Sequence, residues 1–223
     1  MLPPLDRSLY FRYRIIKYVA AATRTRIVEH SAELFRRQGF AGTGVKQIVA
    51  AARAPFGSVY HFFPGGKEQL GEEVIRWSGA MYARLIDAFF PAGADPVAAT
   101  RDFFAGAAET LRATDYADAC PIETVALEVA STNETLRLAT AEVFASWTRA
   151  AVARFQAAGV PPDGAEDLAL GVIALLEGAF VLARAAKDVR PMAAAGEAAV
   201  ALYRARISGI TSDASSSRAS ESS

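Results

Sequence analysis

The residues best able to do chemistry in this chain lie in one stretch, TGVKQIVAAARAPFGSVYHFFPGGK, residues 43–67. A short helix is predicted from Pro55, a residue favoured at the first helical position, with Val59, Phe62 and Phe63 on its buried side. Hydroxyl, phenol and imidazole groups can hydrogen-bond to phosphates and base edges, and a short helix that exposes them is typical of the second helix of a helix-turn-helix in a DNA major groove. The side predicted to face outward carries Phe56, Gly57, Ser58, Tyr60 and His61.

A preceding helix is predicted from Val45 to Ala52, because its apolar residues recur at the spacing of one helical face. We expect the Thr43 hydroxyl to cap it by accepting the backbone N–H of Lys46. Lys67 falls in the first turn of the next predicted helix, where a cation opposes the helix dipole unless an anion lies beside it. We therefore expect Lys67 to contact a DNA phosphate; the alternative is a solvated lysine offset by Glu68.

The run TRTRIVEHSAELFRRQGFAGTGVKQIVAAARAPFGSVYHFFPGGKEQL resembles the N-terminal domain of TetR-type transcriptional regulators. The segments PGGKEQL and CPIETVALE resemble the LmrA/YxaF subgroup of that family. The resemblance implies that helices 1–3 bind DNA, that helix 4 leads into a ligand-binding core, and that the last two helices form a homodimer. It implies a DNA-binding set of Thr43, Gly44, Lys46, Ala54, Pro55, Phe56, Gly57, Ser58, Tyr60, His61 and Lys67.

Three residues depart from the family pattern. Arg53 stands at the turn position where glycine is usual, and positive φ there costs a non-glycine residue about 1 kcal/mol. Gly44 replaces the usual Ser or Thr, which removes one phosphate contact. Phe56 stands where Lys or Arg is common, and its ring has no donor for a base edge, so it is left apolar contact with a thymine methyl.

Charge is divided unevenly along the chain, although Lys plus Arg and Asp plus Glu are equal at 24 each. Residues 1–76 carry twelve basic and six acidic side chains, and residues 77–223 carry twelve basic and eighteen acidic ones. A basic first part and an acidic second part fit a first domain that meets phosphate. Chance clustering on solvated helix faces is the alternative.

The remaining composition favours a cytoplasmic protein without a cofactor. Cys120 is the only cysteine, which excludes an internal disulfide framework. We expect no apolar run long enough to span a bilayer. Residues 1–22 make a poor signal peptide, because Lys17 interrupts their apolar stretch. They are either a flexible basic arm that touches DNA or an extension without a role, and we favour the second.

An all-α fold is predicted, with nine helices and no strand. Proline and glycine clusters divide the chain, notably Pro64-Gly65-Gly66 before helix 4 and Pro91 after it. The predicted divisions are a flexible extension (1–22), a helix-turn-helix domain (23–67), a regulatory and dimerisation domain (68–208), and a disordered Ser-rich tail (209–223).

The second domain is rich in aromatic residues, which commonly line pockets for small molecules but which also form ordinary cores. Glu177 is the one charged residue in the sixteen from Leu168 to Ala183, so it and Glu128 are candidate polar groups for such a pocket. The predicted pocket consists of Trp77, Met81, Leu85, Phe103, Phe104, Trp147, Glu177 and Phe180.

A helix that is apolar nearly all round needs cover on more than one side. The last two helices are therefore predicted to pair with their counterparts in a second copy; the alternative is a monomeric bundle core. The predicted interface consists of Leu168, Val172, Leu176, Met192, Ala195, Ala199, Leu202 and Tyr203.

These patterns favour a ligand-responsive transcriptional repressor that binds a palindromic DNA operator as a dimer and is released by a small molecule. An enzyme is the main competing class. It is disfavoured because the chain has two histidines and no G-x-S-x-G, and because PGGKEQ lacks the spacing and the Ser/Thr of a phosphate loop. The other alternative is a helical small-molecule-binding or interaction protein whose DNA binding is impaired by Arg53, Gly44 and Phe56.

Overall fold

The computed structural model describes the backbone of residues 23–220 and the side chains of residues 23–207. This part of the chain contains nine helices and no strand, so the predicted all-α fold is confirmed. Residues 1–22, predicted to be a flexible extension, lie outside the described residues. The helices are α1 (Thr23–Gln38), α2 (Val45–Ala51), α3 (Ser58–Phe62), α4 (Gly66–Phe89), α5 (Pro96–Ala113), α6 (Pro121–Val129), α7 (Glu134–Ala157), α8 (Pro162–Ala186) and α9 (Arg190–Ser220).

Local sequence explains where several helices begin and end. Gly39 ends α1 with a φ of +78° that glycine adopts without strain. The Asp95 carboxylate accepts the backbone N–H groups of Val97 and Ala98 at the start of α5. Asn133 caps α7 by accepting the Leu136 N–H at 2.9 Å.

Helices α1, α2 and α3 share one small core. Ile27 and Phe35 from α1, Ile48 from α2, and Val59 with Phe63 around α3 are all fully buried. Burial of each such side chain contributes about 1.5–3 kcal/mol relative to exposure. This core holds α2 and α3 in a fixed orientation relative to each other.

Two predicted features at the helix starts are wrong. Helix α3 begins at Ser58, because residues 55–57 form a turn in which the Ser58 N–H donates to the Pro55 carbonyl at 2.9 Å. The N-cap of α2 is Gly44, whose N–H donates to the Gln47 side chain at 2.8 Å. Thr43 does not cap this helix: its hydroxyl donates to the Gly39 carbonyl at 2.6 Å.

Helix α4 joins the first domain to the second and crosses α7 at very short range. A Cβ atom placed on Gly79 would lie 2.6 Å from the Val143 methyl groups. The Trp147 indole N–H donates to the Gly79 carbonyl at 2.9 Å. Glycine is required here because any side chain would separate the two helices.

The last two helices differ from prediction in two ways. Helix α9 continues to Ser220, so the predicted disordered tail, 209–223, is helical as far as residue 220; no proline stops the helix there. Helix α8 is long and apolar enough to cross a membrane by length and composition, contrary to our expectation, and only 22% of its most apolar window is buried within the protomer.

Candidate DNA interface and ligand cavity

The outer face of α3 is aromatic and polar, as predicted. Phe56 and Tyr60 are each 53% exposed, and their ring centroids lie 6.4 Å apart. His61 is exposed beside them, with its ring 4.8 Å from that of Phe62. Val59, between these residues in sequence, is fully buried and fixes the direction in which the exposed side chains point.

Most of the predicted DNA-binding residues lie at the surface around this face. Lys46 is exposed in the first turn of α2, and Gln47, which the sequence analysis did not select, is exposed next to it. The other exposed members are Gly44, Pro55 and Gly57, and the half-buried ones are Ala54 and Ser58.

Thr43 and Lys67 do not fit the predicted set. Thr43 is fully buried with its hydroxyl directed to Gly39, so it has no surface to offer a phosphate. Lys67 is half-buried, and its ammonium lies over the Phe40 ring, 4.2 Å from the centroid. Burial lowers the pKa of Lys67, an effect opposed by the nearby Glu128 carboxylate. A cation held over an aromatic ring gains a favourable contact that a phosphate would have to replace.

The turn between α2 and α3 has the strained conformation expected at Arg53. Its φ is +49°, in the left-handed region that favours glycine. The turn is otherwise well bonded, since the Ala54 N–H donates to the Val49 carbonyl at 2.9 Å. The Arg26 guanidinium of α1 also donates to the Ala52 carbonyl at the end of α2.

Helix α6 holds the DNA-binding domain through groups that the sequence analysis missed. Asp118, buried just before α6, forms ion pairs with Arg36 at 3.0 Å and Arg37 at 3.4 Å, both from α1. Glu128, near the other end of α6, accepts the Ala41 N–H at 2.9 Å. The suggestion that Glu128 serves the ligand pocket is therefore wrong. Arginines at the end of α1 were the available signal for such an acidic partner.

A cavity lies between α4, α5, α7 and α8, with about 80 Å³ available to the centres of water-sized molecules. This is room for several waters or a small organic molecule. Six of the eight predicted pocket residues line it: Leu85, Phe103, Phe104, Trp147, Glu177 and Phe180.

Two predicted pocket residues do not line this cavity. Trp77 packs against the core nearer the DNA-binding domain, and Met81 is half-buried outside the lining. The lining on α4 begins with Tyr82, because Trp77 lies about one and a half helical turns closer to the first domain. Cys120 and Arg154, which the sequence analysis did not assign to the pocket, do line it.

Glu177 and Cys120 form the polar centre of the cavity. The Cys120 thiol and the Glu177 carboxyl both line the cavity and interact electrostatically. Burial raises the pKa of Glu177 to about 8; the thiol acts in the opposite direction, and the Glu123 carboxylate adds to the increase. Burial likewise raises the pKa of the Cys120 thiol well above its usual value. Both groups therefore carry their protons at neutral pH.

The predicted dimer interface needs correction, because most of its residues face inward. Met192, Ala195 and Ala199 pack with Phe104 in a core between α5, α8 and α9. Leu168 is buried with Phe155, and Val172 and Leu176 line the cavity. The Tyr203 hydroxyl donates to the Ala158 carbonyl. Leu202 alone of the predicted set is exposed.

A different apolar stripe is exposed on the same two helices. Leu170, Val181 and Leu182 on α8 are 51%, 47% and 61% exposed, and Leu202 on α9 is 43% exposed. We call these four residues the α8/α9 apolar stripe. They lie on the opposite side of the helices from the residues that form the protomer's own core.

Comparisons with known proteins agree with this architecture. The model of bacterial regulatory proteins of the tetR family matches residues 27–74, and that of the C-terminal domain of LmrA/YxaF-like transcriptional regulators matches residues 96–198.

The uncharacterized HTH-type transcriptional regulator YxaF of Bacillus subtilis is 32% identical over 182 residues, which is 82% of this chain and 95% of YxaF. The uncharacterized HTH-type transcriptional regulator Rv0196 of Mycobacterium tuberculosis is 34% identical over 174 residues, 76% of this chain and 88% of that protein. A crystal structure of a regulatory protein TetR from Rhodobacter sphaeroides superposes with a TM-score of 0.74 at 24% identity, covering 82% of this chain and 99% of the other. The chain therefore belongs to the TetR family of bacterial transcriptional regulators, and its C-terminal domain is of the LmrA/YxaF-like type.

Proposed function

We propose that this protein is a homodimeric repressor that binds a palindromic DNA operator and releases it when a small molecule enters the cavity. The exposed face of α3 is the observation that carries the proposal. Tyr60 and His61 are exposed on this helix, Phe56 is exposed in the turn before it, and Val59 fixes the helix from its buried side. Such a surface matches the width and the mixed polar and methyl groups of a major groove.

Each residue of the face has a role that follows from its chemistry. Tyr60 and His61 are placed to hydrogen-bond to base edges, and Phe56 to contact a thymine methyl. Lys46 and the N-terminal end of α2 are placed to bind a phosphate. Lys67 is a weaker candidate for phosphate contact than the sequence suggested, because its ammonium already lies over Phe40.

A DNA titration tests this assignment. An operator would be selected from random duplexes, and affinity measured by fluorescence anisotropy over a range of salt concentrations. Lys46→Ala should weaken binding to all sequences and reduce the log–log salt slope by about one, whereas Lys67→Ala should change the slope less. Tyr60→Ala should instead reduce discrimination between operator and random DNA. An unchanged slope for Lys46→Ala would contradict the proposed phosphate contact.

The α8/α9 apolar stripe supports a dimer. Four large apolar side chains on adjacent helices remain exposed in the protomer. Two copies related by a two-fold axis would cover the stripe with itself, forming a four-helix interface. The same symmetry would set the two α3 helices about 34–36 Å apart, at successive major grooves of a palindrome.

One pair of variants tests the dimer. Leu182→Glu places a charge in the stripe and should give monomers, because a carboxylate would otherwise be buried without a partner. Leu127→Glu is the matched control, since Leu127 is 74% exposed on α6, outside the stripe. Light scattering after size exclusion should report monomers for the first variant only. Dimers of equal stability from both variants would exclude this interface.

Helix α6 provides a route between the cavity and the DNA-binding domain. Cys120 at its start lines the cavity, while Asp118 and Glu128 at its two ends hold α1 and the following turn. A ligand that displaces Cys120 would act on those contacts directly, in addition to any tilt of α4. We therefore propose that α6 transmits ligand binding, with a coupling free energy of about 1–3 kcal/mol.

The coupling can be measured with a variant outside both sites. Glu128→Ala removes the acceptor of the Ala41 N–H and should reduce the ratio of operator affinities with and without ligand. Its effect on either affinity alone should be smaller. If the ratio is unchanged, transmission does not pass through this contact.

A second candidate is a helical ligand-binding protein with impaired DNA binding. The buried Thr43 and the inward Lys67 favour it, because two of the phosphate contacts implied by the family resemblance are not presented. The DNA titration decides between the two roles. We propose binding rather than catalysis in either case; among the described residues, no group of three or more His, Cys, Asp or Glu could hold a metal ion.

A further inference from the structure

Glu177 has a free oxygen in an otherwise apolar cavity. Its Oε2 atom is inaccessible to solvent and has no hydrogen-bond partner. No ion pair joins Glu177 to another residue within the described part of the chain. A buried carboxyl oxygen without a hydrogen-bond partner costs free energy, so a ligand that bonds to it would be favoured.

The carboxyl group carries a proton, and geometry indicates where that proton lies. An ionised carboxylate buried without a cation would be strongly unfavourable. The Cys120 thiol lies beside the carboxyl and opposes the effect of burial on its pKa only in part. A protonated carboxyl has one O–H to donate, and Oε2 is the oxygen whose hydrogen-bonding capacity is unused within the protein. The raised pKa of Glu177 agrees with this assignment.

The charged groups around Glu177 do not favour a cationic ligand. Glu123 on α6 is paired electrostatically with Arg184 on α8, and its own pKa is raised by burial. Arg154 on α7 lines the cavity and would repel a cation, although it is itself paired with Asp87.

Two further polar lining groups are bonded within the protein. The Thr100 hydroxyl donates to the Pro96 carbonyl at 2.7 Å, and the Trp147 indole N–H donates to the Gly79 carbonyl. The lining can therefore offer a ligand polar contacts from Glu177, Arg154 and the Tyr82 hydroxyl. Aromatic and aliphatic side chains form the rest of the lining.

We propose that the cavity selects an uncharged, largely apolar molecule with one hydrogen-bond acceptor oxygen, such as a ketone, and that Glu177 donates a hydrogen bond to that oxygen. This rests on the proposed function, since it names the ligand class of the same cavity. An acceptor of this kind satisfies the free group without adding a charge to an apolar site, and a hydrocarbon of the same size leaves it unsatisfied.

Three probes of similar size test the proposal. They are benzylacetone, the amine analogue in which a protonated amino group replaces the ketone oxygen, and butylbenzene. Binding is read from Trp147 fluorescence, because that indole lines the cavity, and confirmed by calorimetry. At pH 7, the ratio of benzylacetone affinity to butylbenzene affinity should be at least about five-fold higher for the parent than for Glu177→Leu, the discrimination that one satisfied neutral hydrogen bond supplies, and the ammonium should bind most weakly.

Two substitutions at Glu177 test whether the residue recognises the ligand as a hydrogen-bond donor or as a negative charge. Glu177→Gln keeps an N–H donor and should keep the preference for benzylacetone, while Glu177→Leu should lose it and retain butylbenzene binding. Thr100→Val is the matched control in the same cavity; its hydroxyl bonds to Pro96, so the preference should not change. Raising the pH from 7 to 9.5 should weaken benzylacetone binding to the parent but not to Glu177→Gln.

Several outcomes would overturn the proposal. Strongest binding by the ammonium, increasing with pH, would make Glu177 an anionic site. An unchanged preference in Glu177→Leu would remove Glu177 from recognition, and failure of all three probes to bind would show that the cavity is ordinary core. These binding assays contain no DNA, so they test the ligand class independently of the proposed function. If benzylacetone binds as expected but does not change operator affinity in the DNA titration, the ligand class is supported and the proposed regulation is refuted.

Discussion

Replacing Glu177 by Gln should change how the stability of the fold depends on pH. In the folded protein the pKa of Glu177 is about 8, against an ordinary 4.5. Between these values the unfolded chain releases the proton while the folded protein retains it. The folded state then binds more protons, so the free energy of unfolding falls as pH rises through this window. Glu177→Gln has no proton to release and should lack this contribution.

The magnitude follows from the pKa difference. Each pH unit inside the window is worth about 1.4 kcal/mol, so the site should lower stability by roughly 2–3 kcal/mol between pH 5 and pH 7. Above pH 8 both states are ionised and the loss levels off at about 5 kcal/mol.

Urea denaturation at a series of pH values measures the effect. Protein concentration must be held constant, because the stability of a dimer depends on it. The parent and Glu177→Gln share every other titrating group, so the difference between their curves isolates Glu177. Glu166→Gln, at an exposed position of the same helix, should give a curve parallel to that of the parent. If the Glu177→Gln curve is also parallel to that of the parent, Glu177 is not protonated in the fold, and its assignment as a donor is refuted.

Three further substitutions test features of the fold, each by chemical denaturation. Arg53→Gly should raise the free energy of unfolding by about 1 kcal/mol, since glycine adopts a φ of +49° without strain; no gain would mean that the turn is not strained. Gly79→Ala should lower it by about 1–3 kcal/mol, because the new Cβ would lie 2.6 Å from the Val143 methyl groups, and adding Val143→Ala should recover part of that loss if this contact is the cause. Asp118→Ala should lower it by about 3 kcal/mol by leaving Arg36 without its buried ion-pair partner, and a loss below 1 kcal/mol would show that the pair contributes little.

Helix positions were well predicted because their signals are local. Gly39 and Asn133 mark helix ends through backbone conformation and capping. The exposed face of α3 also followed from spacing, since Val59 and Phe63 must share a buried side. These inferences need only neighbouring residues, and the sequence contains those directly.

The errors arose where distant residues compete for one side chain. Lys67 meets Phe40, which is far away in sequence, and no periodicity reveals this contact. The Thr43 error is local: α2 begins one residue later than that cap requires, with Gly44 as its N-cap, and the Thr43 hydroxyl donates to the Gly39 carbonyl. For α8 and α9, apolar residues occur on more than one side, so the pattern could not decide which side packs inside the protomer. The Cys120–Glu177 contact likewise joins two helices whose approach only the fold defines.

The close contact between α4 and α7 at Gly79 means that a small tilt of α4 gives a larger displacement at its N-terminal end. At Gly79 the two helices are too close to admit a side chain, and the Trp147 indole donates to the Gly79 carbonyl, so we expect any tilt of α4 to pivot about this point. From Gly79 to Gly66 the helix forms a lever arm of about 20 Å. A swing of about 6° would move the attached end by about 2 Å, and in a symmetric dimer the two ends would separate by about 4 Å. That exceeds the 3.4 Å rise of one base pair. In the dimeric repressor proposed above, a tilt produced by side-chain repacking in the cavity would therefore misalign the two α3 helices with successive major grooves.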